Sequence, residues 1–130
     1  MKETTLGIWE IGNERVELAV RSGYGAEYYY RPEARIVVGI DHSEWSSVIG
    51  CLLHEAFEFV LDRSNARYDA TNNHANDNGS YLFVMTHALF SDACEKSSSF
   101  ITGCMQSVRE SWQANHNPRK KKAAKCQRRK

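Results

Sequence analysis

Alternating apolar and polar positions in the first forty residues predict β-strands. Residues 15–21 (RVELAVR) alternate as a strand with one buried face does, and residues 6–11 alternate more weakly. Gly12-Asn13 between them is typical of a hairpin turn. Residues 27–30 and 34–40 are rich in aromatic and β-branched side chains, which favour strands. We therefore expect four antiparallel strands.

A first helix is predicted from about residue 44 to Arg63, because apolar residues there recur at three- and four-residue spacing. Ser43 or Asp41 is a suitable N-cap, since short polar side chains accept hydrogen bonds from the first backbone N–H groups of a helix. Residues 64–80 are polar and rich in Asn, so we expect a long loop.

A second helix is predicted to end at Asn117-Pro118, with Ser97-Ser98-Ser99 as a point where it could break. Its start is ambiguous, because residues 81–85 (YLFVM) are continuously apolar and fit either a helix or a fifth strand. We favour the helix. The predicted fold is α+β, with an N-terminal antiparallel sheet of about four strands packed on two main helices.

Composition indicates a single soluble domain. The chain has 130 residues, of which 42% are hydrophobic and 25% are charged, as in ordinary globular domains. No apolar run approaches the roughly 18 residues that span a membrane, and the N-terminus lacks a signal-peptide pattern. The four cysteines form no C-x-x-C pair, so reduced thiols are expected. We expect a cytoplasmic protein with no membrane partner.

Charge divides the chain into an acidic domain, residues 1–118, and a basic tail, residues 119–130, which we expect to be disordered. The tail holds eight of the 17 Lys and Arg residues and no acid, which leaves residues 1–118 with a net charge of −7. Such a run attracts nucleic acid or acidic partners by releasing counterions, or folds back on the acidic domain. The candidate contact residues are Arg119, Lys120, Lys121, Lys122, Lys125, Arg128, Arg129 and Lys130.

Residues 54–58 (HEAFE) carry the clearest candidate chemistry, in the middle of the first predicted helix. His54 and Glu58 lie one turn apart, so an imidazole and a carboxylate can converge on one divalent cation. Glu55 is displaced around the helix, where it could hold a metal-bound water as a general base. Alternatively, His54, Glu58 and Asp62 are only the solvated side of an amphipathic helix.

This motif, on a helix that follows a sheet and precedes a second helix, resembles a very small zincin, the H-E-x-x-H metallopeptidase superfamily. The resemblance implies zinc as cofactor, His54 as a ligand, Glu55 as the water-activating base and a third ligand from the second helix. Glu58 replaces the second His of the motif, and carboxylates also ligate zinc. His87, Asp92 and Glu95 are candidates for the third ligand, and we choose His87 on ligand preference.

Two functions of different classes follow from these observations. The first is a zincin-like domain with a divalent-metal site, acting as a metallopeptidase-type hydrolase on a peptide or as a degenerate, non-catalytic version of one. The second is a small non-enzymatic protein whose acidic domain binds a host protein and whose tail binds nucleic acid or an acidic surface. The short chain with its lysine-rich end also resembles small bacteriophage accessory proteins.

The remaining motifs give weaker signals. Asp77-Asn78-Gly79 does not fit a calcium-binding EF-hand, because His74 and Met85 would occupy the first and twelfth loop positions. His74 itself is expected to be a solvent-exposed loop residue, and His42 a turn or capping residue. In a strand, Tyr28 and Tyr30 would point to one side and Tyr29 to the other.

Overall fold

A computed structural model describes residues 2–30, 32–69 and 81–117 of the chain. These described residues form six strands and two helices, which confirms the α+β class. The elements are β1 (Glu3–Ile11), β2 (Glu14–Arg21), β3 (Ala26–Tyr29), β4 (Arg35–Gly39), α1 (Trp45–Arg63), β5 (Arg67–Asp69), β6 (Tyr81–Phe83) and α2 (His87–His116). Most of the predicted loop, including His74, and the eight cations of the tail lie outside the described residues.

The main sheet has the strand order β1-β2-β4-β3. Strands β1 and β2 form the predicted antiparallel hairpin, with Gly12 at φ 62°, and β3 also pairs with β4 in antiparallel fashion. The central pair, β2 and β4, is parallel, so the prediction of an entirely antiparallel sheet is wrong. The reason lies in burial. Strand β4 is almost wholly buried and takes the central position, whereas the half-exposed β3 takes the edge.

One face of this sheet packs on the helices to form the core. Side chains of β2 and β4, such as Leu18 and Ile36, meet Phe59 of α1 and Phe100 of α2, and all four are at most 1% exposed. On the opposite face, Arg35 pairs with Glu3 and Glu17 at 2.6 Å, and Arg21 pairs with Glu27 at 2.7 Å. A network of ion pairs therefore lies on the solvent side of the sheet.

The N-cap of helix α1 is Glu44, so the prediction that Ser43 or Asp41 caps this helix is wrong. Asp41 is instead engaged by its neighbours, because its carboxylate accepts hydrogen bonds from the backbone N–H of Gly23 at 2.7 Å and from Asn115 at 3.0 Å. This carboxylate ties the end of α2 to the turn that precedes β3.

Helix α2 begins at His87, where the Thr86 hydroxyl accepts a hydrogen bond from the Leu89 N–H at 3.2 Å. The residues before it, Tyr81–Phe83, pair with Arg67–Asp69 as a small two-stranded sheet, so the preference for a helix there was wrong. Helix α2 also continues without a break through the three serines at 97–99. Within the described ranges, no helix is long and apolar enough to cross a membrane.

The two helices pack against each other along their length. Trp45 near the start of α1 contacts Trp112 near the end of α2, with ring centroids 5.6 Å apart, and Phe57 contacts Phe90 at 5.7 Å. The Trp112 indole N–H also donates to the His42 carbonyl at 2.7 Å. The helices therefore run antiparallel, and the HEAFE segment lies in the middle of this pair.

Candidate metal site and apolar groove

The polar side chains of the HEAFE segment converge on α1. His54 Nε2 lies 3.0 Å from Glu58 Oε2 and 3.9 Å from Glu55 Oε1. One potential ligand atom from each of these three residues lies within 4.8 Å of the others. The i, i+4 spacing of His54 and Glu58 brings the two side chains together as predicted, because they occupy successive turns of one helix.

Exposure differs sharply within this cluster. The His54 side chain is 68% exposed, whereas those of Glu55 and Glu58 are 11% and 13% exposed. The imidazole therefore faces solvent while both carboxylates are largely withdrawn from it. The alternative of a solvated stripe named His54, Glu58 and Asp62, and of these only His54 is mainly exposed, since the side chains of Glu58 and Asp62 are 13% and 30% exposed.

Glu55 has an unusual protonation equilibrium. Its removal from water raises the pKa of its carboxyl group from 4.5 to about 7, and the nearby Glu58 carboxylate adds to the increase, while the neighbouring His54 opposes it. A buried carboxyl group with a pKa near neutrality is typical of functional sites, although structural clusters also show it.

Arg67 of β5 reaches back to α1 and contacts two of its acids. Its Nε lies 3.2 Å from Glu58 Oε1, and its Nη1 lies 3.5 Å from Asp62 Oδ2. The guanidinium carries a permanent positive charge, so it forms an ion pair with each of these two carboxylates. Glu58 is therefore shared between His54 on one side and Arg67 on the other.

Two tyrosines of the edge region fix Asp62 from the side of the sheet. The hydroxyl groups of Tyr30 and Tyr28 donate to Asp62 Oδ2 at 2.7 Å and 3.1 Å, and Arg67 donates to the Tyr28 hydroxyl. Burial raises the pKa of both phenols, so they remain hydrogen-bond donors at neutral pH. Tyr29 is exposed, which confirms the predicted alternation of the three tyrosines.

The candidate third ligands lie away from this cluster. His87 is the exposed first residue of α2, and Asp92 pairs with Lys96 at 2.7 Å. Among the described residues, His54, Glu55 and Glu58 form the one group of three or more metal-ligating side chains that are mutually close, and it includes neither His87, Asp92 nor Glu95. The role of His87 as a ligand remains a prediction.

Two features of the region were not predicted from sequence. Arg67 belongs to the polar segment interpreted as loop, and only the β5–β6 pairing places it beside Glu58. His42, expected to be a turn or capping residue, has its Nε2 against the Tyr24 carbonyl and 3.6 Å from Cys51 Sγ. Neither contact has a local sequence signal, because each joins residues that tertiary structure brings together.

An apolar groove of about 720 Å³ lies beside the cluster, between α1 and α2. His54 and Glu58 form part of its wall, and its other ionisable side chain is Cys94 of α2. The large apolar side chains of the lining are Ile49, Leu53, Phe57, Leu61, Phe83, Met85 and Ile101. A cavity of this volume is in the size range of ligand-binding sites.

The donor set fits a small divalent ion. Imidazole nitrogen and carboxylate oxygen are both normal zinc ligands, and ligands about 2.0–2.1 Å from a tetrahedral ion are about 3.3 Å apart. The distances of 3.0 Å and 3.9 Å from His54 Nε2 to the two carboxylates bracket that value. The Arg67 contact with Glu58 would oppose binding of a second cation.

Comparison of the chain with protein-family models, with curated proteins and with solved structures found no match.

Proposed function

We propose that this chain is a zincin-like metal-binding domain in which His54, Glu55 and Glu58 hold a divalent ion, with zinc as the first candidate. The observation that supports it best is the mutual approach of three ligand atoms of the correct chemistry within 4.8 Å on one helical turn. The set contains one histidine where the zincin motif has two, because Glu58 stands in place of the second, so metal binding is the core of the proposal.

Zinc content after equilibration with zinc and exhaustive dialysis tests this proposal. The parent protein should retain about one equivalent more than His54→Ala, because the variant loses the only imidazole of the cluster. His116→Ala removes another exposed histidine, on α2, and is the matched control. His87→Ala tests the predicted third ligand in the same experiment. Equal metal in the parent and His54→Ala contradicts the proposal.

Substitution of Glu55 separates a ligand from a general base. If Glu55 ligates, Glu55→Gln lowers the affinity for zinc, because a neutral amide is a poorer donor than a carboxylate. If Glu55 acts as the base that the resemblance implies, the variant retains zinc and loses peptide hydrolysis. If the site binds metal without being catalytic, neither the parent nor Glu55→Gln hydrolyses peptides. A fluorogenic peptide library is a suitable substrate for this assay.

A second candidate function rests on the charge of the tail. Eight cations in the twelve residues 119–130, with no acid among them, form a site for polyanions such as nucleic acid. Removal of these residues should abolish salt-sensitive retention on a nucleic-acid column. Retention that persists unchanged contradicts this function without affecting the metal proposal.

A further inference from the structure

A row of aromatic side chains lies at the end of the domain where α2 ends. The Tyr24 ring lies nearly perpendicular to the His42 ring, with 5.3 Å between their centroids. The His42 carbonyl accepts a hydrogen bond from the Trp112 indole N–H. The Trp112 ring lies 5.6 Å from the Trp45 ring and 5.0 Å from the His116 ring. We refer to these five residues as the aromatic row, which joins the turn before β3 to the last turn of α2.

Packing in the core accounts for only part of this row. Trp45 and Trp112 are partly buried and pack against the core of the domain. Tyr24 is 67% exposed, more than any other large apolar side chain among the described residues, and His116 is also exposed. Burial of apolar surface therefore does not explain the rings at the two ends of the row. Exposed aromatic rings are the surfaces on which unpaired nucleic-acid bases stack.

The basic tail adjoins the aromatic row through the chain itself. Helix α2 ends at His116, the last ring of the row, and Arg119 is the first of the eight cations in residues 119–130. Three residues span at most about 11 Å, so the tail starts close to the row whatever path it takes. Arg109 adds a cation within the described residues, because its guanidinium lies 5.9 Å from the centre of the Trp45 ring. Positive charge and aromatic rings therefore meet at this end of the domain.

Three acids, Asp41, Glu44 and Glu110, adjoin these residues in the chain. The Asp41 carboxylate is hydrogen-bonded to Gly23 and Asn115, whereas Glu44 and Glu110 are exposed. Their negative charge opposes binding of a polyanion, so the aromatic row alone is not expected to hold nucleic acid. The electrostatic attraction must come from the tail, and the row can add the contribution of stacked bases.

From this arrangement we propose that the aromatic row and the tail together bind single-stranded nucleic acid, with the tail on the phosphates and the exposed rings of Tyr24 and His116 on the bases. The proposal rests on the second candidate function, binding of a polyanion by the tail, and specifies which polyanion is bound. The bases of a duplex are stacked on one another, whereas a single strand can present their faces to aromatic side chains. Proteins that bind single strands combine positive charge with aromatic stacking in this way.

Comparison of a single strand with a duplex tests the proposal on the full chain. Fluorescence anisotropy measures binding of a labelled oligothymidylate of about 15 nucleotides, alone and paired with oligoadenylate. A cationic tail acting alone should favour the duplex, because the charge density of the duplex is higher. We expect the single strand to bind at least about fivefold more tightly. Equal or tighter binding of the duplex overturns this proposal and leaves the tail function intact, whereas binding of neither overturns both.

Matched variants test the contribution of the rings. Tyr24→Ala should weaken binding of the single strand about fivefold, the loss expected for one stacked base, and leave duplex binding unchanged. Tyr68→Ala removes a tyrosine that is 52% exposed on β5, and it should change neither. The single strand should also quench the tryptophan fluorescence of the parent, and Trp112→Phe should reduce the quenched fraction while Trp9→Phe should not. Circular dichroism checks that each variant is folded. Equal effects of Tyr24→Ala and Tyr68→Ala overturn the proposal.

Discussion

The guanidinium of Arg67 and the carboxylate of Glu58 form an ion pair, with 3.2 Å between Nε and Oε1. The same carboxylate lies 3.0 Å from His54 and is a proposed metal ligand. A bound divalent ion and Arg67 would therefore compete for Glu58, because two cations near one carboxylate repel each other. This ion pair is expected to set the affinity of the site.

Replacement of Arg67 should consequently strengthen metal binding. We expect Arg67→Gln to raise the affinity for zinc roughly three- to tenfold, since about 1 kcal/mol of repulsion is removed, in a competition titration against a chromogenic chelator. The variant should also unfold at a lower urea concentration, because Glu58 and Asp62 lose their partner. Arg63→Gln, which removes a cation paired with Glu14, is the control. Unchanged or weaker zinc binding in Arg67→Gln would refute this competition.

The raised pKa of Glu55 predicts how stability depends on pH in the absence of metal. The folded state keeps this carboxyl group protonated up to about pH 7, whereas an ordinary value is 4.5. Its protonation therefore stabilises the fold fully below about pH 4.5, and this stabilisation is lost as the pH rises from 4.5 to 7. At pH 8 the ionised group costs up to about 3 kcal/mol.

Glu55→Gln should remove this pH dependence. In urea unfolding with a chelator present, we expect the variant to be more stable than the parent at pH 8 and close to it at pH 4.5. Glu10→Gln removes an exposed carboxylate of β1 and controls for the loss of charge as such. A Glu55→Gln protein that is equally destabilised at both pH values would mean that the carboxyl group has a structural partner that the amide cannot replace.

The HEAFE cluster was predictable from sequence because helix geometry is local. The i, i+4 spacing alone places His54 and Glu58 on successive turns, and the 3.0 Å separation of their side chains follows from it. Burial of Glu55 was not predictable in the same way, since it depends on which elements cover α1. The sequence pattern therefore indicates which groups lie together and leaves their environment undetermined.

The errors in the predicted fold have the same origin. The parallel pairing of β2 with β4 depends on the competition of two strands for the centre of the sheet, which no single strand pattern reveals. Tyr81–Phe83 is continuously apolar and fits either a helix or a strand. It forms a strand because its partner, Arg67–Asp69, lies at the other end of a segment that was interpreted as loop.

The tyrosine contacts predict that conservative substitutions of two adjacent tyrosines have different effects on stability. Tyr30→Phe should lower the free energy of unfolding by about 1–2 kcal/mol, because Asp62 loses a hydrogen bond of 2.7 Å in a half-buried setting. Tyr29→Phe should change it by less than about 0.5 kcal/mol, since its contact with Glu27 is exposed to solvent. Equal losses in urea unfolding of the two variants would show that the Asp62 contact adds nothing to stability.

Alanine substitutions at Gly39 and Gly50 are expected to change the stability of the fold in opposite directions, one through steric overlap and the other through helix propensity. A methyl group at Gly39 of β4 would lie 2.8 Å from the Gly25 carbonyl oxygen, so Gly39→Ala should cost about 3 kcal/mol by forcing the backbones apart. Gly50 lies within α1 with open space around it, so Gly50→Ala should stabilise the protein by about 1 kcal/mol. Thermal unfolding of both variants measures the difference. If Gly39→Ala is as stable as the parent, the turn at Gly23 and Gly25 can move away from β4 at little cost in free energy, and the prediction is wrong.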